Sequence, residues 1–239
     1  MPLAPSNQRV KDLVKLKMKK YRDQSDTFLV EGEHLVDSAL EAGAVEAIFV
    51  LEGVDKYPGA TDLSLAAMQK ITDAKNPPNA VATCKHIPPK TVGDKVLILE
   101  HVQDPGNVGT LLRSARAFGF TTVVFDAACD PFSPKVLRAT QGAIFDLAIL
   151  KTSVEDFRIH HPNHKLIVTA ATASVTPLMP TPPYALVLGN EGAGVTDATL
   201  HAADLVVSIP TEGVESLNVA MAGSVLMQLL SERPVFTTK

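Results

Sequence analysis

Three short segments hold the residues whose types and spacing could do chemistry. The first, Asp104-Pro105-Gly106-Asn107-Val108-Gly109-Thr110-Leu111-Leu112-Arg113, sets an amide and two glycines ahead of a guanidinium. Asn107 can cap the helix that opens here, and Gly106 and Gly109 permit close backbone approach. Arg113 lies about two helical turns further on, so it can share a face with Asn107. The second segment, Leu188-Gly189-Asn190-Glu191-Gly192-Ala193-Gly194-Val195, embeds a carboxylate among glycines. Such a loop presents backbone donors and acceptors to an adenine or a ribose. Its Gly-x-x-Gly-x-Gly spacing differs from the nicotinamide fingerprint, and no acid-tipped strand follows in the expected place. The third runs from Ile209 to Gly223 and centres on Ser216-Leu217-Asn218-Val219. Ser216 is a natural N-cap for a helix expected to reach about Glu232, where free N–H groups and the positive end of a helix dipole converge. Each segment alone is explained by a turn or a cap. Three polar, glycine-bearing loops together point to a shared site.

The elements that must position these loops alternate. Val96–Leu99, Thr122–Phe125, Leu147–Leu150, Leu166–Thr169, Ala185–Leu188 and Leu205–Ile209 read as buried strands, with helices between most of them. One helix should run from about Asn107 to Phe118, and another should start near Ser133-Pro134, with proline in the first turn. Continuous apolar strands separated by helices predict a parallel sheet covered on both faces, with ligands at the carboxyl ends of its strands. Upstream, Thr27–Val30, Ala47–Val50 and Ala80–Thr83 read as strands, and Glu33 to Ala42 and Leu63 to Ile71 as helices. They predict a small α/β domain. Ile87 to Asp94, with two prolines and a glycine, reads as a linker. The expected organisation is therefore residues 1–88 and 94–239.

The chain has 239 residues, 46% hydrophobic and 20% charged, which excludes a wholly disordered protein. No apolar run is long enough for a membrane span and no signal peptide is visible, so a cytoplasmic protein is expected. Cys84 and Cys129 form no metal-type pair and the seven histidines show no ligand spacing, so no metal is expected. The net charge of −4 is unevenly spread. Arg9, Lys11, Lys15, Lys17, Lys19, Lys20 and Arg22 stand against the single acid Asp12, with Val10, Leu13, Val14, Leu16 and Met18 interleaved. The spacing predicts one helix with an apolar face and a basic face, either solvated or in contact with phosphates.

In order and separation, the three segments resemble the signature motifs of the SpoU (TrmH-like) branch of the SPOUT RNA methyltransferases. The resemblance covers about Val96 to Leu230 and includes Asn-x-Gly-x-x-x-Arg (Asn107, Gly109, Arg113), Gly-Asn-Glu-Gly (Gly189 to Gly192) and Ser-Leu-Asn-Val (Ser216 to Val219). The basic leader and Phe28 to Gly32 resemble the L30e-like substrate-binding domain of ribosomal-RNA members. Where those relatives often show Pro-Gln-Gly, this chain has Pro77-Pro78-Asn79.

The resemblance implies an α/β fold: a C-terminal SPOUT parallel-sheet domain with a trefoil knot, against the usual rule of unknotted chains, plus the small N-terminal domain. It implies S-adenosylmethionine held at Leu188, Gly189, Gly192, Ile209, Leu217 and Asn218. It also implies a homodimer in which one subunit completes the other's site. The implied reaction is methyl transfer to a ribose 2′-hydroxyl of RNA, with Asn107, Arg113, Glu191, Ser216 and Asn218 as catalytic residues. Arginine, which keeps its proton in proteins, is better suited to binding a phosphate and stabilising developing charge than to acting as a base. Ribosomal RNA of 23S type is the expected substrate. Transfer RNA, or a non-catalytic RNA-binding protein that keeps the fold, are the alternatives.

Overall fold

The basic leader folds as two short helices where its spacing predicts one. In the computed structural model, which describes residues 1–72, 74–86, 91–170 and 181–231, α1 spans Gln8–Lys15 and α2 spans Lys19–Ser25. Asn7 caps α1 by accepting from the Arg9 N–H at 2.9 Å. Val10, Leu13 and Leu16 form the buried stripe. The chain breaks at Leu16–Met18, and Arg22 folds back across the break. Its Nη1 donates to the carbonyls of Leu16 and Lys17, each at 2.7 Å. Carbonyls at a helix end lack internal partners, and an arginine can supply the missing donor. Arg22 is 6% exposed. It therefore braces the leader from inside and is not part of the basic surface on which the sequence reading placed it.

Two compact units make up the chain: Met1–Ile87 with Phe132–Phe145, and Pro88–Pro131 with Asp146–Lys239. The expected linker falls partly on residues 87–90, outside the described residues, as does Glu232, the expected end of the last helix.

In the first unit, β1 (Thr27–Glu31), β2 (Val45–Leu51), β3 (Thr61–Leu63) and β4 (Ala80–Lys85) form a sheet in the order β1-β4-β2-β3. β4 runs antiparallel to β1 and β2, and β3 runs parallel to β2. Helices α3 (Glu33–Glu41) and α4 (Leu65–Thr72) follow β1 and β3. Successive residues of β1 serve opposite faces, as a strand requires. Leu29 joins Phe49, Val81, Met68 and Ile71 in the core that takes the apolar stripe of α1. Phe28 stacks on Phe132 instead, with ring centroids 4.6 Å apart. Phe132 opens the later segment that returns to this unit, which carries α6 (Pro134–Thr140). Ser133 caps α6 and proline sits in its first turn, as the sequence predicts. Arg138 on α6 pairs with Glu31 at 3.0 Å.

The second unit is a six-stranded sheet of β5 (Lys95–Glu100), β6 (Thr122–Asp126), β7 (Ala148–Lys151), β8 (Lys165–Thr169), β9 (Tyr184–Leu188) and β10 (Leu205–Val207). Its order is β10-β8-β9-β5-β6-β7 and every pair is parallel. Two-sided burial explains the continuous apolar strands: Val96, Leu97, Ile98 and Leu99 are all fully buried. One face packs under α7 (Val154–His160) through Val154 and Phe157. Helices α5 (Pro105–Ala117) and α9 (Val219–Leu230) lie against one another, with Ser114 Oγ and Ser224 Oγ 2.7 Å apart. Gly223 permits the approach: a Cβ there would fall 2.4 Å from Leu111 Cδ2 and 2.5 Å from Leu188 Cδ1. The chain moves outward from β5 through β6 to β7, then returns on the other side of β5 as β8, β9 and β10. That reversal falls between β5 and β9, where open parallel sheets carry their ligand crevice.

Candidate active site

The three sequence motifs meet at the carboxyl ends of β5 and β9. Asp104, not Asn107, caps α5: its carboxylate accepts from the Asn107 backbone N–H at 2.8 Å, and Pro105 fills the first turn. The Asn107 side chain is thereby left to bridge. Its Nδ2 donates to Glu191 Oε1 at 3.1 Å, and its Oδ1 accepts from Asn218 Nδ2 at 3.0 Å. Asn218 in turn caps α9, accepting from the N–H groups of Ala220 and Met221 at 2.9 and 3.3 Å. The cap expected at Ser216 therefore sits two residues later. Asn218 both closes the helix and reaches the first motif: its amide oxygen accepts from α9 while its nitrogen donates to Asn107.

Glu191 is the hub of this network. Besides Asn107, it accepts from the backbone N–H groups of Asp104 at 3.0 Å and Gln103 at 3.3 Å. Burial works to raise its pKa, but the donors from Asp104, Asn107 and Gln103 outweigh it, so the carboxyl is held below the usual glutamate value. The residues before it shape the loop. Asn190 and Gly194 exchange N–H···O bonds of 2.9 Å, and Asn190 Oδ1 accepts from the N–H groups of Gly192 and Ala193, both at 3.0 Å. Gly189 lies under this closure: a Cβ would stand 2.2 Å from the backbone of Gly194 and Val195.

Beside the loop opens a cleft of about 300 Å³. Leu188, Gly189, Gly192, Ile209 and Leu217, all expected at the cofactor, line it, and Ser216 lines it too. Strand β10 ends at Val207, two residues before the sequence suggested, which leaves Ile209 free to form a wall. Asn218 is not among the lining residues. Its amide is spent on Asn107 and on α9. Arg113 and Ser216 are exposed, and their side chains make no hydrogen bond or ion pair with any described residue. The network thus unites Asn107, Glu191 and Asn218, and leaves Arg113 and Ser216 with open polar groups.

Sequence reading missed Asp104 and Asn190 as organisers of the site. A signal for Asp104 existed, since an N-cap acid followed by proline is a standard helix opening. It also missed Glu100, a buried carboxylate at the end of β5. Glu100 accepts from Thr196 N–H and Oγ1 at 2.9 and 2.8 Å and from Thr199 Oγ1 at 2.6 Å, and so anchors the short α8 (Asp197–His201). Burial pushes the thiols of Cys84 and Cys129 up to about 12 and about 11, so both remain protonated and inert as nucleophiles. Among the described residues, no group of three His, Cys, Asp or Glu side chains could hold a metal ion, and no helix is long and apolar enough to cross a membrane.

Comparison with known proteins shows the family. Residues 94–228 match the SpoU rRNA Methylase family, and residues 7–82 match the MRM3-like substrate binding domain. The chain belongs to the SpoU rRNA methylase family. It is 36% identical over 236 residues to the 23S rRNA (guanosine(2553)-2′-O)-methyltransferase RlmP of Bacillus subtilis, spanning 92% of this chain and 95% of that protein. The mitochondrial rRNA methyltransferase 3 of Mus musculus is 33% identical over 67% of this chain and 43% of its own length. Crystal structures of an rRNA methyltransferase from Sinorhizobium meliloti superpose with a TM-score of 0.86 at 28% identity, over 98% of this chain and 97% of that one. One of them is bound to AdoMet. The second unit is therefore the parallel-sheet domain of the SPOUT methyltransferases.

Proposed function

We propose that this chain is an S-adenosylmethionine-dependent rRNA 2′-O-ribose methyltransferase whose three motifs divide into residues that hold the site and residues that touch the ligands. One observation carries the division: the hydrogen-bond chain from Glu191, which lines the cleft, through Asn107 to Asn218, which do not.

The cleft fits the cofactor. Its walls are mostly glycines and aliphatic side chains, suited to an adenine and a ribose, and its volume of about 300 Å³ lies at the small end of the usual range for ligand sites. Leu188, Gly189, Gly192, Ile209 and Leu217 would hold it. When bound, S-adenosylmethionine supplies an electrophilic methyl group. Glu191, Asn107 and Asn218 act as positioning residues, because each is committed to backbone or amide partners. Arg113 carries a full charge with no protein partner. It binds the phosphate next to the target ribose, orients the 2′-hydroxyl and stabilises the negative charge that develops on its oxygen. Ser216, at the mouth of the cleft, donates to the ribose.

By its name, RlmP acts on guanosine 2553 of 23S rRNA. The corresponding guanosine is the first target to examine. The exposed basic side chains of α1 and α2 contact RNA phosphates, with Arg22 removed from that set. A cytoplasmic setting belongs to the same proposal, as does the knotted path of the family. So does a homodimer: α9 exposes Met221, Val225 and Leu229 at four-residue spacing, an apolar stripe that the described residues leave uncovered.

Transfer of labelled methyl groups to rRNA tests the activity directly. Arg113→Ala is expected to lower turnover by about 10²–10³-fold while cofactor affinity changes less than about twofold. Cofactor affinity that falls as far as the rate would overturn this assignment of Arg113. Label found in tRNA and not in rRNA would overturn the substrate.

A further inference from the structure

The cleft has an uneven charge. Among its described lining residues, Glu191 and Glu215 are ionisable, and there is no Lys, Arg or His. The two carboxylates are not equivalent. Glu191 is tied to Asp104, Gln103 and Asn107. Glu215 is exposed and makes no hydrogen bond or ion pair with a described residue. The turn before it is held by Thr211 Oγ1, which donates to the Val214 carbonyl at 2.9 Å. An uncompensated carboxylate at a ligand site must act on the charge of the ligand.

The two ligands that the reaction requires differ in that charge. The sulfonium donor carries an ammonium, a carboxylate and a positive sulfur, for a net charge of +1 by its chemistry. During transfer, the S–CH3 bond breaks with its electron pair left on sulfur. An O–CH3 bond forms to the ribose oxygen, whose proton goes to solvent. The thioether product therefore carries no charge at sulfur. A negative wall without a cation favours the ligand that has the extra positive charge.

We propose that Glu215 is a specificity-determining residue that makes the cleft select the sulfonium donor over its thioether product, and so favours product release. This rests on the reading of the cleft as the cofactor site.

Calorimetric titration of S-adenosylmethionine and S-adenosylhomocysteine into the intact protein tests it. Glu215→Gln should lower donor affinity about tenfold and change product affinity less than about twofold. Glu215→Lys should reverse the preference, and Glu215→Asp should retain it. Raising the salt should shrink the wild-type preference, because exposed charges are screened. Equal losses on both ligands would put the carboxylate on the shared ammonium and overturn the proposal, as would no loss on either. Wild-type protein that bound neither ligand would overturn the cofactor reading itself. Product binding retained in Glu215→Gln keeps the two failures apart.

Discussion

At the scale of single residues, the site depends on amides and carboxylates used for two contacts at once. Glu191 shows what this costs. Its carboxylate faces donors from Asp104, Gln103 and Asn107, so an amide in its place would turn a donor toward donors. Glu191→Gln is expected to destabilise the protein by about 1 kcal/mol near neutral pH. The sign of the pH dependence follows from the lowered pKa of Glu191. A carboxyl held down in the folded state stabilises above its unfolded pKa, and that gain is lost as pH falls through the folded value. The stability gap between wild type and Glu191→Gln should therefore close on acidification below about pH 4, measured by denaturant titration. A gap unchanged by acid would mean that the carboxylate is not the hub. The motif residues Asn107, Glu191 and Asn218 were legible in the sequence as polar groups in excess of what a turn needs. Their division of labour was not, because Ser216 and Asn218 are both good caps. Only the position of Asn107 across the site decides between them.

Elements follow from local pattern where burial is two-sided, and depart from it where tertiary contacts intervene. The buried strands of the second unit stand within one or two residues of where the apolar runs place them. β3 was missed because three residues on a sheet edge carry almost no periodic signal. The break between α1 and α2 has no glycine or proline to announce it, and depends on Arg22 closing it from inside. Two elements carry predictions. The loop after β9 closes over Gly189 so tightly that Gly189→Ala must push against backbone and not against a movable side chain. It should lower cofactor affinity at least about tenfold and cost about 1–3 kcal/mol of stability. Undiminished affinity with a normal melting temperature would show that the loop is freer than its hydrogen bonds indicate. The outer stripe of α9 makes the second. Replacing Met221, Val225 and Leu229 by glutamate should convert a dimer to a monomer in analytical ultracentrifugation, with α9 itself still folded through Ala220, Met227 and Leu230. A wild-type protein that sediments as a monomer at micromolar concentration would remove the dimer.

For the molecule as a whole, charge is distributed by task and not by total. A net charge of −4 coexists with a leader whose Arg9, Lys11, Lys15, Lys19 and Lys20 are exposed once Arg22 is subtracted, Lys19 being paired with Asp23. Lys15 pairs with Asp12 at 2.8 Å on the surface, a contact weak enough to exchange for a phosphate. Substituting Lys11, Lys15, Lys19 and Lys20 by glutamine should flatten the salt dependence of RNA binding by up to about 3 in log–log slope. Arg22→Ala should instead lower the melting temperature and leave that slope alone. A slope untouched by the four lysine changes would put the RNA elsewhere. The basic composition of the leader was visible in the sequence. Which cation is structural was not, because burial of Arg22 depends on where α1 stops. The return of Phe132–Phe145 to the first unit has a consequence for how the protein can be taken apart. The polypeptide passes from one unit to the other three times, so no single cut frees an intact module. Cleavage near residue 88 would deprive Phe132 and Phe145 of the Phe28 ring against which they stack. The fragment C-terminal to the cut, which carries Phe132–Phe145 away from the rest of the first unit, would then display two aromatic rings to water. Aggregation of such a fragment would report that lost aromatic contact, and would say nothing against the fold of the catalytic sheet.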